Sequence, residues 1–426
     1  MTERLPGFST LSIHAGAQPD PTTGARATPL YQTTSFVFND ADHAASLFGL
    51  QAFGNIYTRI GNPTNAVLEE RVAALEGGTA ALAVASGHAA QLVTFHALLQ
   101  PGDEFIAARR LYGGSINQFN HSFKNFGWNV VWADTDDVST FEKALTPKTK
   151  AIFIESIANP GGTVTDIEAI AAIARKAGVP LIVDNTLASP YLVKPIDHGA
   201  DIVLHSATKF LGGHGNSIGG IIVDAGTFDW SRDGRYPVLS EPRPEYHGIK
   251  LQETFGNFAF AIAARVIGLR DLGPALSPFN AFLILTGIET LGLRVQRHSD
   301  NAKAVAEWLS AHPAVAWVSY AGLPGDRYHN LARKYSPKGA GAVFTFGLKG
   351  GYDAGINLVS NVKLFSHLAN VGDTRSLIIH PASTTHSQLS DAQKAQAGAG
   401  VDVVRLSVGL EDKEDLIADL DQALKA

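Results

Sequence analysis

The sequence predicts an α/β fold: a mostly parallel sheet covered by helices on both faces, followed by a smaller α+β unit. Seven short apolar runs recur between residues 80 and 223, four stretches of helical apolar spacing separate them, and after Val223 the alternation stops. Strands that are apolar throughout belong to sheets buried on both faces, and strands alternating with helices build such sheets from parallel crossovers.

Residues 1–62 hold Pro6, Pro19, Pro21, Pro29 and several glycines with little periodicity, and read as an extended arm with a polar, aromatic tip at Gly54-Asn-Ile-Tyr-Thr-Arg-Ile-Gly61. Asn62-Pro63 then supplies a cap followed by proline at the first helical position. Val67, Leu68, Val72 and Leu75 keep helical spacing up to Gly77-Gly78. The strands are expected at Ala80–Ala85, Phe105–Ala107, Asn129–Trp132, Ala151–Ile154, Pro180–Val183, Asp201–Leu204 and Gly219–Val223. Between them Ala89–Leu99, Ser115–Phe126, Val138–Leu145 and Ile167–Ala177 read as helices. The stretch after Val223, with Trp230, Arg232, Pro237, Pro242 and Pro244, reads as a long loop. Ala281–Ala311 reads as one long amphipathic helix, and the chain from Val315 as short strands and helices. The expected division is an arm at 1–62, a large domain at 63–279 and a smaller one at 280–426.

Composition excludes several classes of function. The 426 residues are 45% apolar and 17% charged, with 34 Lys plus Arg against 40 Asp plus Glu, a formal charge of −6. That balance lacks the basic footprint of nucleic-acid binding. With no cysteine, neither a disulfide nor a thiolate metal site can form. No apolar run approaches the roughly 18 residues of a membrane span, and Met1-Thr-Glu-Arg-Leu-Pro-Gly7 lacks a signal-peptide core. The expectation is a cytoplasmic protein with no metal and no nucleic-acid or membrane partner.

Parallel sheets bind ligands beyond the carboxyl ends of their strands, and three motifs fall at those ends. Leu204-His-Ser-Ala-Thr-Lys209 places a lysine between small hydroxyl residues and a glycine-rich turn. Asp184-Asn-Thr186 closes the strand before it, so acid and lysine stand 25 positions apart. Ser86-Gly87-His88 opens the helix after the first strand and offers backbone N–H groups suited to a phosphate. An amine able to form a Schiff base, an acid able to keep a ring nitrogen protonated and hydroxyls able to take a phosphate are what pyridoxal phosphate requires. Lys209 is therefore expected to carry the cofactor and shuttle protons, with Asp184 at the pyridine nitrogen and Ser206 and Thr208 at the phosphate. Tyr112, beside Gly113 and Gly114, is expected to stack on the ring.

One rival motif is present. Gly215-Asn-Ser-Ile-Gly219 matches the nucleophile elbow of serine hydrolases, but an elbow joins a strand to a following helix, whereas this one leads into a strand-like run. Dinucleotide, Walker and zinc-protease signatures are missing from the sequence.

In order along nearly the whole chain, the motifs resemble the Cys/Met-metabolism family of fold-type I pyridoxal phosphate enzymes. The landmarks are Tyr57-Thr-Arg59, Ser86-Gly87, Leu111-Tyr-Gly113, Asn159-Pro160, Asp184-Asn-Thr186, Ser206-Ala-Thr-Lys209, Pro381-Ala382 with Thr385-His386, and Arg405-Leu-Ser-Val-Gly-Leu-Glu411. The resemblance implies an aspartate aminotransferase-like large domain and a homotetramer built as a dimer of dimers, in which Tyr57 and Arg59 reach the cofactor phosphate of a neighbouring subunit. It also implies that Arg405, Asn370 and Tyr57 meet the substrate, Arg405 by a bidentate pair with its carboxylate. Ser86-Gly-His-Ala-Ala-Gln91, Asn370-Val-Gly-Asp373 with Arg375, and the insertion after Val223 are similar to the branch that exchanges the acetate of O-acetyl-L-homoserine for sulfide. Tyr112 would assist proton movement there, and Arg375 is either an anion ligand or structural. The nearer competing activity uses the O-succinyl ester, or cysteine as nucleophile to make cystathionine.

Overall fold

In the computed structural model, residues 6–385, 387, 390, 394 and 398–426 are described. Nine strands lie between residues 80 and 224: β1 (Ala80–Val84), β2 (Glu104–Ala108), β3 (Asn129–Ala133), β4 (Thr149–Glu155), the short pair β5 (Ile157–Ala158) and β6 (Thr163–Val164), then β7 (Leu181–Asp184), β8 (Ile202–Ser206) and β9 (Gly220–Asp224). Seven form one sheet in the order β1-β9-β8-β7-β4-β2-β3. From β3 through β8 all neighbours are parallel, as the uninterrupted apolar runs require, and β9 inserts antiparallel between β8 and β1. Two antiparallel steps restore direction, so β1 ends at the same edge as β4, β7 and β8. That edge is where Ser86, Glu155, Asp184 and Ser206 meet.

The flanking helices follow from local chemistry. In the helix Pro63–Glu76 the Asn62 side chain accepts from Thr64 N at 2.9 Å, and Gly77 ends it at φ 81°. Five phenylalanines, Phe95, Phe105, Phe119, Phe123 and Phe153, fill one layer, with Phe95 and Phe105 ring centroids 4.3 Å apart and Phe119 and Phe153 5.1 Å apart. All five are essentially inaccessible to solvent, so this cluster is the packed centre of the larger layer.

A second sheet, in the order β10-β11-β14-β13-β12, is built from β10 (Val315–Ser319), β11 (Val343–Leu348), β12 (Ser366–His367), β13 (Leu377–Ile379) and β14 (Val403–Ser407). Its central strand β14 pairs Arg405 with Thr345 on one side and Ile379 on the other, which fixes that arginine against the first sheet.

Four expectations need correction. The arm is not wholly extended: it contains the helices Phe8–His14 and Ala41–Phe48, the latter capped by Asp40 accepting from His43 N at 2.7 Å. Each buries a single residue, Ser12 or Leu47, so no apolar stripe announces it. The stretch after Val223 is helical from Leu251 to Leu272 apart from breaks such as Gly256, because Ala259, Phe260, Ala263, Ala264, Val266 and Ile267 are buried on all sides and leave no amphipathic period. Residues 281–311 belong to two helices, Pro278–Glu289 and Leu291–Ala311, separated at Thr290 (φ −107°, ψ 10°), a residue with no strong breaking tendency. Finally, Ser115–Phe126 is a composite: an α-helical turn Gly113–Asn117, a π-helical turn Gln118–Ser122 and a 3₁₀ turn Phe123–Phe126. Among the described residues no helix is long and apolar enough to cross a membrane.

Candidate active site

A cavity of about 300 Å³ opens at the shared carboxyl edge of the first sheet, and Arg405 and Asn370 close it from the second. Ser86 caps the helix Gly87–Leu98 by accepting from Ala89 N at 3.1 Å. The N–H groups of Gly87 and His88, in the first turn, have no intrahelical acceptor and form an anion-attracting end. Packing here demands glycine: a Cβ on Gly87 would stand 2.9 Å from Ser206 Cβ, and one on Gly220 would stand 2.0 Å from Ser86 O. The glycines thus let the helix start after β1 pack directly against the end of β8 and the start of β9.

Asp184 ends β7 and accepts from Thr186 N at 2.9 Å. Burial pushes its carboxyl above the usual range, while the Thr186 hydrogen bond and the nearby His205 and His88 pull it back. Behind it, wholly buried, Glu76 Oε1 accepts from His205 Nε2 at 2.6 Å and Asn185 Nδ2 at 2.8 Å, which pins the ends of β7 and β8 together.

Lys209 follows β8 and donates to Asn370 Oδ1. Burial, and then the positive charge of Arg405, hold its amine below the ordinary lysine range. That is the direction a nucleophilic or proton-shuttling amine needs. Its turn is fastened from outside by Arg294, which donates to Phe210 O at 2.9 Å, Leu211 O at 3.2 Å and Gly287 O at 2.7 Å. Arg405 donates to Asn159 Oδ1 at 2.9 Å and to Asn370 O at 3.3 Å. Burial lowers its guanidinium to about 10, still charged at neutral pH.

Most of the expected residues come together. Ser86, Gly87, His88, Tyr112, Asp184, Ser206, Thr208, Lys209, Asn370 and Arg405 all line the cavity. Tyr112 is half exposed and meets the His88 ring edge-on at 5.9 Å. A Cβ on Gly114 would fall 2.3 Å from that tyrosine, which explains the glycine beside it. The Thr208 hydroxyl is engaged with the Gly219 backbone, accepting from its N–H at 3.1 Å. Tyr57 and Arg59 stand elsewhere, outside this chain's own cavity: Tyr57 is exposed, with the Arg59 guanidinium 5.5 Å from its ring centroid and donating to Arg270 O. Arg375 is exposed and pairs with Asp373 at 3.2 Å, also outside the cavity. Thr385 lines the cavity, whereas His386 lies outside the described residues. Ser217 of the rival motif precedes β9 with no helix after it, as expected.

Sequence reasoning missed Glu155 and Ser115 as site residues, and gave Gln91, Asn159 and Thr186 no role. Glu155 is the instructive omission. It ends an apolar strand at the ligand edge, the signal that singled out Asp184, and the register places the two directly opposite each other. Burial and then Asp184 drive the Glu155 carboxyl well above its usual range. Among the described residues no cluster of three or more His, Cys, Asp or Glu could hold a metal ion.

A lysine and an acid at neighbouring strand ends, facing a phosphate-attracting helix end, define a pyridoxal phosphate site on an α/β scaffold. The comparisons agree. The sequence model of the family described as "Cys/Met metabolism PLP-dependent enzyme" matches residues 9–425, and the chain belongs to that family, whose cofactor is pyridoxal 5'-phosphate. It is 55% identical over 419 residues to O-acetyl-L-homoserine sulfhydrylase 1 of Thermus thermophilus, covering 98% of this chain and 99% of that one. To O-acetyl-L-homoserine sulfhydrylase of Leptospira meyeri it is 53% identical over 425 residues, 98% and 96% of the two chains. It also superposes with a TM-score of 0.96 and 41% identity, over 99% of this chain and 100% of the other, on a Campylobacter jejuni structure described as an O-acetylhomoserine (thiol)-lyase and containing a pyridoxyl-lysine 5'-monophosphate.

The residues present fit the cofactor. The start of the helix Gly87–Leu98 faces the cavity through Ser86, Gly87 and His88, the one acid of β7 reaches it, and Lys209 is the lysine in its lining.

Proposed function

We propose that the protein exchanges the acetate of O-acetyl-L-homoserine for sulfide, giving L-homocysteine. The relatives above bear that activity in their names over nearly their whole length. The observation that carries the reading is the hydrogen-bonded chain Lys209–Asn370–Arg405–Asn159, which puts an amine-handling and a carboxylate-handling group in one cavity.

Bound there, pyridoxal phosphate supplies an electron sink for negative charge developing on the substrate. Lys209 would hold it, with Ser86, Gly87, His88, Ser206 and Thr208 toward the phosphate, Tyr112 against the ring and Asp184 keeping the proton on the ring nitrogen. Arg405 grips the substrate carboxylate with two parallel N–H groups, and Asn370, joined to both Arg405 and Lys209, orients the amino-acid end. With substrate bound, Lys209 Nζ takes the proton from Cα and then one from Cβ, and Tyr112 assists proton movement. In the net exchange the Cγ–O bond breaks, acetate leaving with its electron pair. A Cγ–S bond forms from sulfide, and the protons return to Cβ and Cα.

The assembly we propose is a homotetramer made of two dimers, located in the cytoplasm. Tyr57 and Arg59 would complete the neighbouring subunit's phosphate site and Tyr57 its substrate site. Their position outside this chain's own cavity supports that, as do Val37 and Phe53 on the same arm, which are 98% and 80% exposed. Purified protein should release homocysteine from O-acetyl-L-homoserine and sulfide. Faster turnover of O-succinyl-L-homoserine, or of cysteine as acceptor, would overturn the substrate assignment.

A further inference from the structure

Glu155 is 4% exposed and has a partner for each oxygen: Oε1 accepts from Tyr112 N at 2.7 Å and Oε2 from Asn159 N at 3.0 Å. The two partners belong to different segments, and both line the cavity. Tyr112 ends the connection after β2, just before the helical turn Gly113–Asn117, and its ring is half exposed. Asn159 lies beyond β4, and its Oδ1 accepts from Arg405 Nη1 at 2.9 Å. Glu155 is itself anchored in the sheet. Its backbone O accepts from Thr165 Oγ1 at 2.6 Å, and the parallel register sets it opposite Asp184.

We propose that Glu155 is a positioning residue that spans the floor of the cavity, setting the ring-stacking tyrosine through one oxygen and the substrate-carboxylate arginine, by way of Asn159, through the other. A carboxyl group suits the task because each of its two oxygens accepts one backbone N–H, so the two N–H groups are held at a fixed separation. Glutamine at this position keeps the volume but turns one acceptor into a donor, leaving one wall facing an N–H it cannot bind. Arg405 would then lose its register with the substrate, or Tyr112 its register with the ring, although Glu155 is hydrogen-bonded to the backbone of Tyr112 and Asn159 and not to either side chain. The inference rests on the substrate reading above only for the identity of the carboxylate that Arg405 receives.

The test uses the holoenzyme, with Glu155→Gln and Asn159→Ala as variants. Hydrogen exchange read by mass spectrometry on peptides spanning 109–117 and 156–162 should speed up at least about tenfold in one or both for Glu155→Gln, because a backbone N–H has lost its acceptor. A peptide spanning β7 should keep its wild-type rate. The KM for O-acetyl-L-homoserine should rise roughly tenfold, more than kcat falls, since ground-state binding of the carboxylate is what is disturbed. Asn159→Ala cuts only one arm and should raise KM while leaving exchange at 109–117 unchanged, which keeps the idea testable if Glu155→Gln does not fold. Unchanged exchange in both peptides, equal loosening of β7, or an unchanged KM in Asn159→Ala would each overturn it. Failure of the wild type to use O-acetyl-L-homoserine with sulfide would sink the substrate assignment alone, and the exchange rates would still decide the role of Glu155.

Discussion

Lys209 and Arg405 are two cations sharing one small enclosure, and each has a different use for its charge. The lysine must spend part of its time neutral, which burial and the neighbouring guanidinium promote. The arginine stays charged and offers a planar fork. Lys209→Arg should therefore abolish covalent attachment of the cofactor, read by borohydride reduction, and lower turnover at least about a thousandfold, because a guanidinium neither condenses with an aldehyde nor gives up its proton near neutrality. A cofactor label still fixed to the chain after borohydride reduction would show that another amine holds the cofactor. Arg405→Lys keeps the charge but loses the second N–H contact, so KM for the amino-acid substrate should increase about tenfold or more with a smaller change in kcat. Steady-state kinetics at saturating sulfide would read that division.

At the scale of elements, β8 and β9 carry a second acidic pair at the end of the sheet remote from the cavity. Asp201 accepts from Leu181 N at 2.8 Å, and Asp224 accepts from Gly226 N at 2.8 Å and Ala261 N at 3.2 Å. Burial raises Asp201 to about 6 and Asp224 to about 7, above the 3.8 of a free aspartate. Raised values mean that the folded chain binds more protons than the unfolded one between about pH 4 and pH 7. Their stabilisation is complete below the unfolded value and is lost as pH climbs through the folded ones. The apparent unfolding midpoint should thus be higher at pH 5 than at pH 8 through these groups, and Asp224→Asn should flatten that slope whatever it does to the midpoint itself. A slope identical to wild type in scanning calorimetry would refute the assignment. The phenylalanine layer makes a simpler claim: Phe119→Ala should cost about 3–5 kcal/mol, because its neighbours Phe95, Phe105 and Phe153 sit on different elements and cannot collapse together into the void.

For the whole molecule, the assembly proposed above gives the arm its role. Val37, Phe48 and Phe53 are large apolar side chains facing outward on a segment with little core of its own. A second subunit would cover them. Val37→Glu with Phe53→Glu should shift sedimentation toward smaller species and, in the same sample, weaken cofactor affinity, because Tyr57 and Arg59 travel with the arm. Arg59→Ala alone should weaken cofactor binding without changing the sedimenting mass. If it changes neither, the arm does not reach a phosphate.

The sequence by itself determined the parallel sheet, the helix opened by Asn62-Pro63 and the convergence of Ser86, Asp184 and Lys209, because strand-end position and capping are local chemistry written in neighbouring residues. It left unread the buried helices between Leu251 and Leu272 and the break at Thr290, since burial on all sides erases amphipathic period and Thr290 is no breaker by type. Only the tertiary structure decided that Glu155 stands opposite Asp184 and that Asn159 meets Arg405. Such pairings join residues up to 246 positions apart through strand register and side-chain reach, quantities that no local pattern encodes.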